Sequence, residues 1–334
     1  MDMGKKLLSA GFLVQAFFWS GMAWSGAKEV KIDMDWRTDK AAYRSAKELP
    51  LPVVRMGESL QSKEFPIDPS DLRHKLMEFS GTIPVVVEGT GQRISERGTV
   101  RGRRLARAFL GQEYKALGFK VSEHNYGRGI NFIAEKTGSD PSRVLILTSH
   151  YDSVRNAGAN DNGSGTIAVL AIAKALAKYS FKYTLRVVSF DEEELGLIGS
   201  RYYAGTLSDR NSIIGNIQLD MVGTNSRGDG AFHVMDCDRS DSDFLSKSVL
   251  KEVVSLNLPL KHVSACTDRS DHASFWDKDI PAILISENFF GGDEDSCYHS
   301  ACDIVNSRIN FQYQANIAKA IASAVSQLLV MQNG

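Results

Sequence analysis

Two histidines and a set of carboxylates carry the chemical signal in this 334-residue chain. His150 and Asp152 follow the apolar run Val144–Leu147, and Asp161 lies in the glycine-rich turn Asn160–Gly165. Asp191, Glu192, Glu193 and Glu194 follow a second apolar run, Leu185–Phe190. Asp220 ends a further expected strand, Ile213–Leu219, and His299 stands far downstream between two cysteines. Mixed imidazole and carboxylate donors suit zinc or a similar divalent ion better than calcium, which takes all-oxygen shells. Five candidates (His150, Asp161, Glu194, Asp220 and His299) exceed the needs of one catalytic zinc. They fit two ions about 3.5–4 Å apart that share a carboxylate. Asp161, in the turn between two clusters and just ahead of a helix, is the natural bridge. Asp152 is spaced to accept the second imidazole N–H of His150 and fix its tautomer. The adjacent Glu193 and Glu194 imply a division of labour, one binding metal and the other acting as base toward an attacking water. Taken singly, a histidine after a strand is more often structural and an acidic triplet more often a solvated loop. The joint placement is what carries weight.

Such a site requires strands that deliver every member to one edge. Val144–Thr148 is a continuous apolar run, the pattern of a strand covered on both faces. Leu185–Phe190, Ile213–Leu219, Ala231–Met235 and Pro281–Ser286 read as further strands. Phe119–Asn125 and Ile130–Glu135 read as a hairpin about Tyr126–Gly129. Helices are expected at Asp71–Phe79, Val100–Leu117, Gly163–Tyr179 (apolar nearly all round, hence buried), Gly199–Leu207, Asp241–Leu256 and Asn310–Gln332. Strands alternating with helices give an α/β fold with a mixed, mostly parallel central sheet and helices on both faces. In open sheets of that kind, sites lie outside the carboxyl ends of the strands. No internal repeat or low-complexity linker is present.

Hydrophobic residues make up 43% of the chain, enough for a sizeable core. The formal net charge of −1 excludes a general affinity for nucleic acid or an anionic membrane. One basic run, Arg93, Arg97, Arg101, Arg103, Arg104 and Arg107, reads as a solvated helix face, with no stacking aromatics interleaved. Lys5 and Lys6 precede the apolar stretch Leu7–Trp24, and Ser25-Gly26-Ala27 offers a cleavage site before Lys28, so residues 1–27 read as a signal peptide. No stable membrane insertion is expected after its removal, and the mature chain is expected to be secreted or periplasmic. Residues 28–68 are polar and interrupted by prolines, an N-terminal extension or propeptide remnant ahead of a domain at 69–334. Export permits disulfides. A bridge between Cys297 and Cys302 would hold His299 in place, whereas Cys237 and Cys266 either pair or stay free.

Five ordered motifs, H-x-D at His150–Asp152, N-D-N-G-S-G at Asn160–Gly165, E-E-L-G-L-x-G-S at Glu193–Ser200, L-D-M-V-G at Leu219–Gly223 and S-D-H at Ser270–His272, resemble the M28 zinc aminopeptidases. The ending C-Y-H-x-x-C at Cys297–Cys302 is similar to secreted bacterial members. The resemblance covers about residues 69–334 and implies a zinc-exopeptidase-like sandwich. It implies one zinc (Zn2+) held by His150, Glu194 and one oxygen of Asp161, and a second held by Asp220, His299 and the other oxygen. It makes Glu193 the general base, taking a proton from the attacking water and passing it to the leaving amine. Tyr298 matches a position where a phenol hydrogen-bonds the oxyanion, with core packing as the alternative. Met221, Phe289 and Phe290 either line an apolar side-chain pocket or belong to ordinary packing. Asp271 and His272 shape the cleft, and His272 is not counted as a ligand.

The expected function is a secreted, dinuclear zinc aminopeptidase, monomeric, acting on peptides with a free N-terminus. A glutaminyl-peptide cyclotransferase with one zinc, or a carboxypeptidase-type relative, uses the same scaffold. A non-catalytic binding domain is the rival from another class. An intact Glu193 speaks against it, because a structural site needs no spare base.

Overall fold

Strands form where the apolar runs lie. The computed structural model describes residues 47–48 and 62–332. The expected signal peptide and most of the 28–68 extension lie outside the described residues. In chain order the strands of the main sheet are β1 (Lys47–Glu48), β2 (Lys120–Asn125), β3 (Ile130–Lys136), β4 (Val144–His150), β5 (Thr184–Phe190), β6 (Ile213–Leu219), β7 (Ala231–Met235), β8 (Lys261–Ser264) and β9 (Ala282–Glu287). The helices are α1 (Pro69–Phe79), α2 (Val100–Ala116), α3 (Gly165–Leu176), α4 (Ile198–Thr206), α5 (Asp243–Ser255), α6 (His272–Trp276) and α7 (Phe311–Leu328). Helix starts follow from local chemistry. Asp68 accepts from the Ser70 amide with Pro69 at the first helical position, Thr99 caps α2, and Asn310 accepts from the Tyr313 amide to open α7.

Among the described residues the sheet runs β1-β8-β7-β9-β6-β4-β5-β3-β2. Its centre, β9-β6-β4-β5, is parallel, and so is the β7–β8 pair. The remaining pairings are antiparallel, so the sheet is mixed, with its parallel part concentrated at the centre. Every residue of β4 and β6 is buried, as a strand covered on both faces requires. Successive side chains alternate between two cores: Leu145 and Leu147 face one, Val144 and Ile146 the other. The larger core is closed by α1, α2, α3, α5 and α7, whose Leu76, Phe109, Ile172, Val249 and Ile321 belong to it. The smaller core holds Phe190, Tyr203 of α4 and Phe275 of α6.

Several details depart from the sequence reading. Strand β8 was not foreseen, being four residues with one hydrophobic side chain and no clear alternation. The last helix ends at Leu328, and Val330 turns through a left-handed φ of 53° so that Met331–Gln332 pairs with Ser180–Phe181. Phe65 and Ile67, near the end of the expected extension, are buried in the larger core. Among the described residues no helix is long and apolar enough to cross a membrane.

Candidate active site

Parallel register brings the chemistry together. His150, the last residue of β4, sits opposite Phe190, the last of β5, so the loops carrying Asp152 and Glu193–Glu194 spring from the same rung. Asp220 follows β6 directly, on the other side of β4. Asp161 comes from the turn Ala159–Ser164, where its φ of −102° and ψ of 102° break the helical path just before α3. His299 arrives from the loop between Cys297 and Cys302, which are joined by a disulfide. It stands at a φ of 53°, a left-handed conformation unfavourable for a residue with a Cβ.

The side chains of all five sequence-identified ligand candidates meet. His150 Nε2 lies 3.3 Å from Asp161 Oδ1 and 3.4 Å from Asp220 Oδ1. His299 Nε2 lies 3.1 Å from Asp161 Oδ2 and 2.9 Å from Glu194 Oε2. Asp161 therefore presents one oxygen to each imidazole. The shortest contacts set His150 beside Asp220 and His299 beside Glu194, whereas the resemblance implied His150 with Glu194 and Asp220 with His299. The cause is register: Asp220 ends the strand beside His150, while Glu194, one residue further along its loop than Glu193, reaches the 297–302 loop. Ligand atoms of His150, Asp161 and Glu194 also lie within 4.8 Å of one another, as do those of His150, Glu193 and Asp220. Glu193 Oε2 is 3.9 Å from His150 Nε2, further from that imidazole than the Asp161 and Asp220 oxygens are.

A layer of further polar groups holds these residues. Asp152 Oδ1 is 3.3 Å from His150 Nδ1. The same carboxylate accepts from the backbone amides of Glu193 at 3.2 Å and Glu194 at 3.3 Å. One side chain thus sets both the imidazole and the glutamate loop. Asp303 accepts from the amides of Asn160 and Asp161 at 2.8 and 3.0 Å, fixing the turn that carries the shared carboxylate. Ser270 donates to Asp220 Oδ2 at 2.6 Å and accepts from Gln218 Nε2 at 3.3 Å. Gly158, at a φ of 53°, must be glycine: a Cβ would meet Asp161 O at 2.5 Å and Arg97 Nη2 at 2.6 Å.

The charge balance asks for cations. With protein groups alone, burial pushes Glu193 well up, and it pushes Glu194 up to about 8 with the Asp161 charge adding to it. Burial alone would lower the two histidines. The surrounding carboxylates outweigh it, raising His299 to about 10 and His150 well above its usual range. The cluster thus gathers protons to offset its negative charge, the behaviour of a site built for positive ions. The buried oxygens Glu194 Oε1 and Asp220 Oδ1 accept no hydrogen bond, which leaves them free to coordinate. Imidazole and carboxylate donors fit zinc.

The candidate ligands line a cleft of about 480 Å³, counted to its open mouth, with Tyr298, Met221, Phe289 and Phe290 on its walls. Tyr298 stacks on His299 with ring centroids 3.8 Å apart and meets Phe289 edge-on, and burial raises its phenol. His272 points elsewhere. Its Nε2 lies 3.0 Å from Thr267 O and its ring packs on Trp276. Asp271, fully buried, accepts from Gln218 Nε2 at 3.3 Å.

The basic run expected on a solvated helix face turns inward at three positions. Arg97 is fully buried and donates to the carbonyls of Tyr151 (2.7 Å), Ala157 (2.5 Å) and Gly158 (2.7 Å), bracing the loop between His150 and Asp161. Arg103 pairs with Asp191 at 3.0 Å and Glu192 at 3.2 Å, and Arg107 donates to the Tyr151 hydroxyl. Solvated Arg101 and Arg104 share their run, and no spacing separates the two kinds. Asn160, which donates to Glu287 and Asp295, and Asp303 were also missed as supports. Both cysteine pairs are bridged, Cys237 with Cys266 and Cys297 with Cys302.

Residues 131–325 match the family described as Peptidase family M28. The leupeptin-inactivating enzyme 1 of Streptomyces exfoliatus is 34% identical over 217 residues, 59% of this chain but 48% of that enzyme, so the chain spans about half the length of that relative. Among solved structures, a zinc aminopeptidase from Bacillus subtilis aligns with a TM-score of 0.55 at 26% identity, over 62% of this chain and 51% of the other. A glutaminyl cyclase from Porphyromonas gingivalis aligns with a TM-score of 0.64 at 17% identity, over 79% of this chain and 99% of the other, a likeness of fold.

Proposed function

This chain belongs to peptidase family M28, and from that premise we propose that it is an exported, two-zinc aminopeptidase releasing N-terminal residues from peptides. The observation that carries this reading is the shared Asp161, whose two oxygens face two different imidazoles, with Glu193 free beside them. In the proposal His150, Asp220 and Asp161 would hold one zinc, and His299, Glu194 and Asp161 would hold the second. Zinc in such a site supplies Lewis-acid polarisation of the scissile carbonyl and makes water a competent nucleophile at neutral pH.

The chain's own residues do the rest. Glu193, a carboxylate at the cleft with no ligand duty, takes the proton of the attacking water and returns it to the leaving amine. Asp152 orients the His150 ring and, through two amides, the Glu193 backbone. The Tyr298 phenol donates to the developing oxyanion. Met221, Phe289 and Phe290 offer apolar surface to the departing residue's side chain. Export is supported by the apolar Leu7–Trp24 stretch and by two disulfides, which persist in oxidising compartments.

The test is an assay of the purified protein on aminoacyl anilides and on N-terminally blocked peptides, with metal analysis. Expected are two zinc per chain, cleavage of free N-termini only, and loss on chelation. Glu193→Gln should lose at least ~100-fold in kcat while retaining its zinc. Turnover that survives chelator, or full activity in Glu193→Gln, sinks the mechanism. One zinc per chain with pyroglutamate formed from glutaminyl peptides would establish the cyclase reading instead.

A further inference from the structure

Several arginines around the site are committed to partners. Arg97 is spent on three carbonyls, Arg103 and Arg128 on Glu192, and Arg308 on Asp295. Arg269 lines the catalytic cleft, yet its guanidinium has no carboxylate partner among the described residues; its backbone amide donates to Thr267 Oγ1 at 3.2 Å. The two imidazoles in the cleft, His150 and His299, already face Asp161, Glu194 and Asp220.

The backbone beneath Arg269 is fixed on both sides. Three residues earlier, Cys266 is bridged to Cys237. Thr267 O lies 3.0 Å from His272 Nε2. One residue later, Ser270 holds Asp220 at 2.6 Å, and Asp271 is held by Gln218. The side chain itself is exposed. A flexible cation is therefore displayed into the cleft from a rigid base one residue away from a ligand support.

We propose that Arg269 is a specificity residue that recognises a substrate carboxylate close to the cleaved bond. The inference rests on the aminopeptidase reading. A guanidinium repels the substrate's α-ammonium and matches a carboxylate in planar, two-bond geometry. An incoming carboxylate meets in Arg269 a cation at the cleft wall that has no carboxylate partner of its own among the described residues. The carboxylate comes from an acidic first or second residue or from the free C-terminus of a dipeptide, and these sources share one chemistry.

Matched substrate pairs separate the sources: glutamyl against glutaminyl anilide, Leu-Glu-amide against Leu-Gln-amide, and Leu-Gly against Leu-Gly-amide. The expected wild-type result is a kcat/KM preference of roughly tenfold for the acid in at least one pair, equivalent to about 1.4 kcal/mol. That preference should shrink in about 0.5 M salt, because the pair is solvent-accessible. Arg269→Gln should abolish the preference, and Arg269→Lys should keep part of it, since charge survives while the two-bond geometry does not. Cleavage of the neutral substrates with no pair above twofold, or a preference that persists in Arg269→Gln, overturns the assignment of Arg269 alone. Absence of cleavage of every substrate overturns both this assignment and the reading on which it rests.

Discussion

Replacing Arg97 by methionine probes how the site is braced. The guanidinium is fully buried and donates at 2.5 to 2.7 Å to three carbonyls of the 151–158 segment, with a longer contact to Phe79 O at 3.5 Å. Its plane lies over the Phe79 ring at 4.6 Å. Methionine preserves much of that packing and removes every donor. Three buried carbonyls left without a partner cost roughly 1–2 kcal/mol each, so roughly 3–6 kcal/mol in sum. Relief from burying a cation offsets part of this. Burial lowers the guanidinium's pKa to about 10, and the Asp303, Asp152, Asp161 and Glu194 carboxylates pull it back toward its usual value. Removing the charge therefore also removes a counter-charge to the ligand cluster. A net loss of about 3 kcal/mol corresponds to a shift of about 1 M in the urea midpoint for a domain of this size. The assay is equilibrium urea unfolding of wild type, Arg97→Met and Arg97→Lys. Lysine keeps the charge but cannot span three carbonyls, so it should fall between the other two. A midpoint shift below about 0.3 M for Arg97→Met, or an Arg97→Lys variant as stable as wild type, refutes the reasoning.

Changing Cys297 and Cys302 together to serine should cost about 2 kcal/mol of stability, the chain-entropy value for so short a loop. It should also loosen His299 from its left-handed backbone, so that zinc is lost to chelator at roughly tenfold lower concentration, as read by competition titration. Burial lowers both His233 and His272 from 6.5 to about 4. In the unfolded chain these rings take up protons near pH 6.5, whereas in the fold they stay neutral to about pH 4. The unfolded state therefore binds more protons in that window. Stability should decline as pH falls from 6.5 toward 4, by up to about 1.4 kcal/mol per pH unit per ring. NMR titration of the ring protons checks the low values, and denaturant unfolding at several pH values checks the slope.

How much of this was legible in the chain differs from layer to layer. Strand β4 was readable because a strand buried on both faces is close to continuously apolar, β5 and β6 from their runs of branched aliphatic residues, and the ends of all three announced His150, Glu193, Glu194 and Asp220. Helix α3 was readable from its all-round apolarity. The place of β9 between β6 and β7 was not, because strand order is set by packing between distant segments and leaves no local trace. Arg97 was misread for a similar reason: its acceptors lie 54 to 61 positions away. A buried and a solvated arginine look alike until the chain is folded. The ligand set could be read from residue types, but its division into two groups depended on which strand lies next to β4.

The nearly complete burial of α3 constrains how the molecule is assembled. Apart from the exposed Lys174 this helix presents almost nothing suited to water, and a large part of its cover is α7, residues 311–328. During synthesis α3 therefore emerges well over a hundred residues ahead of its cover, and it is a natural target for chaperones until residue 328 has been made.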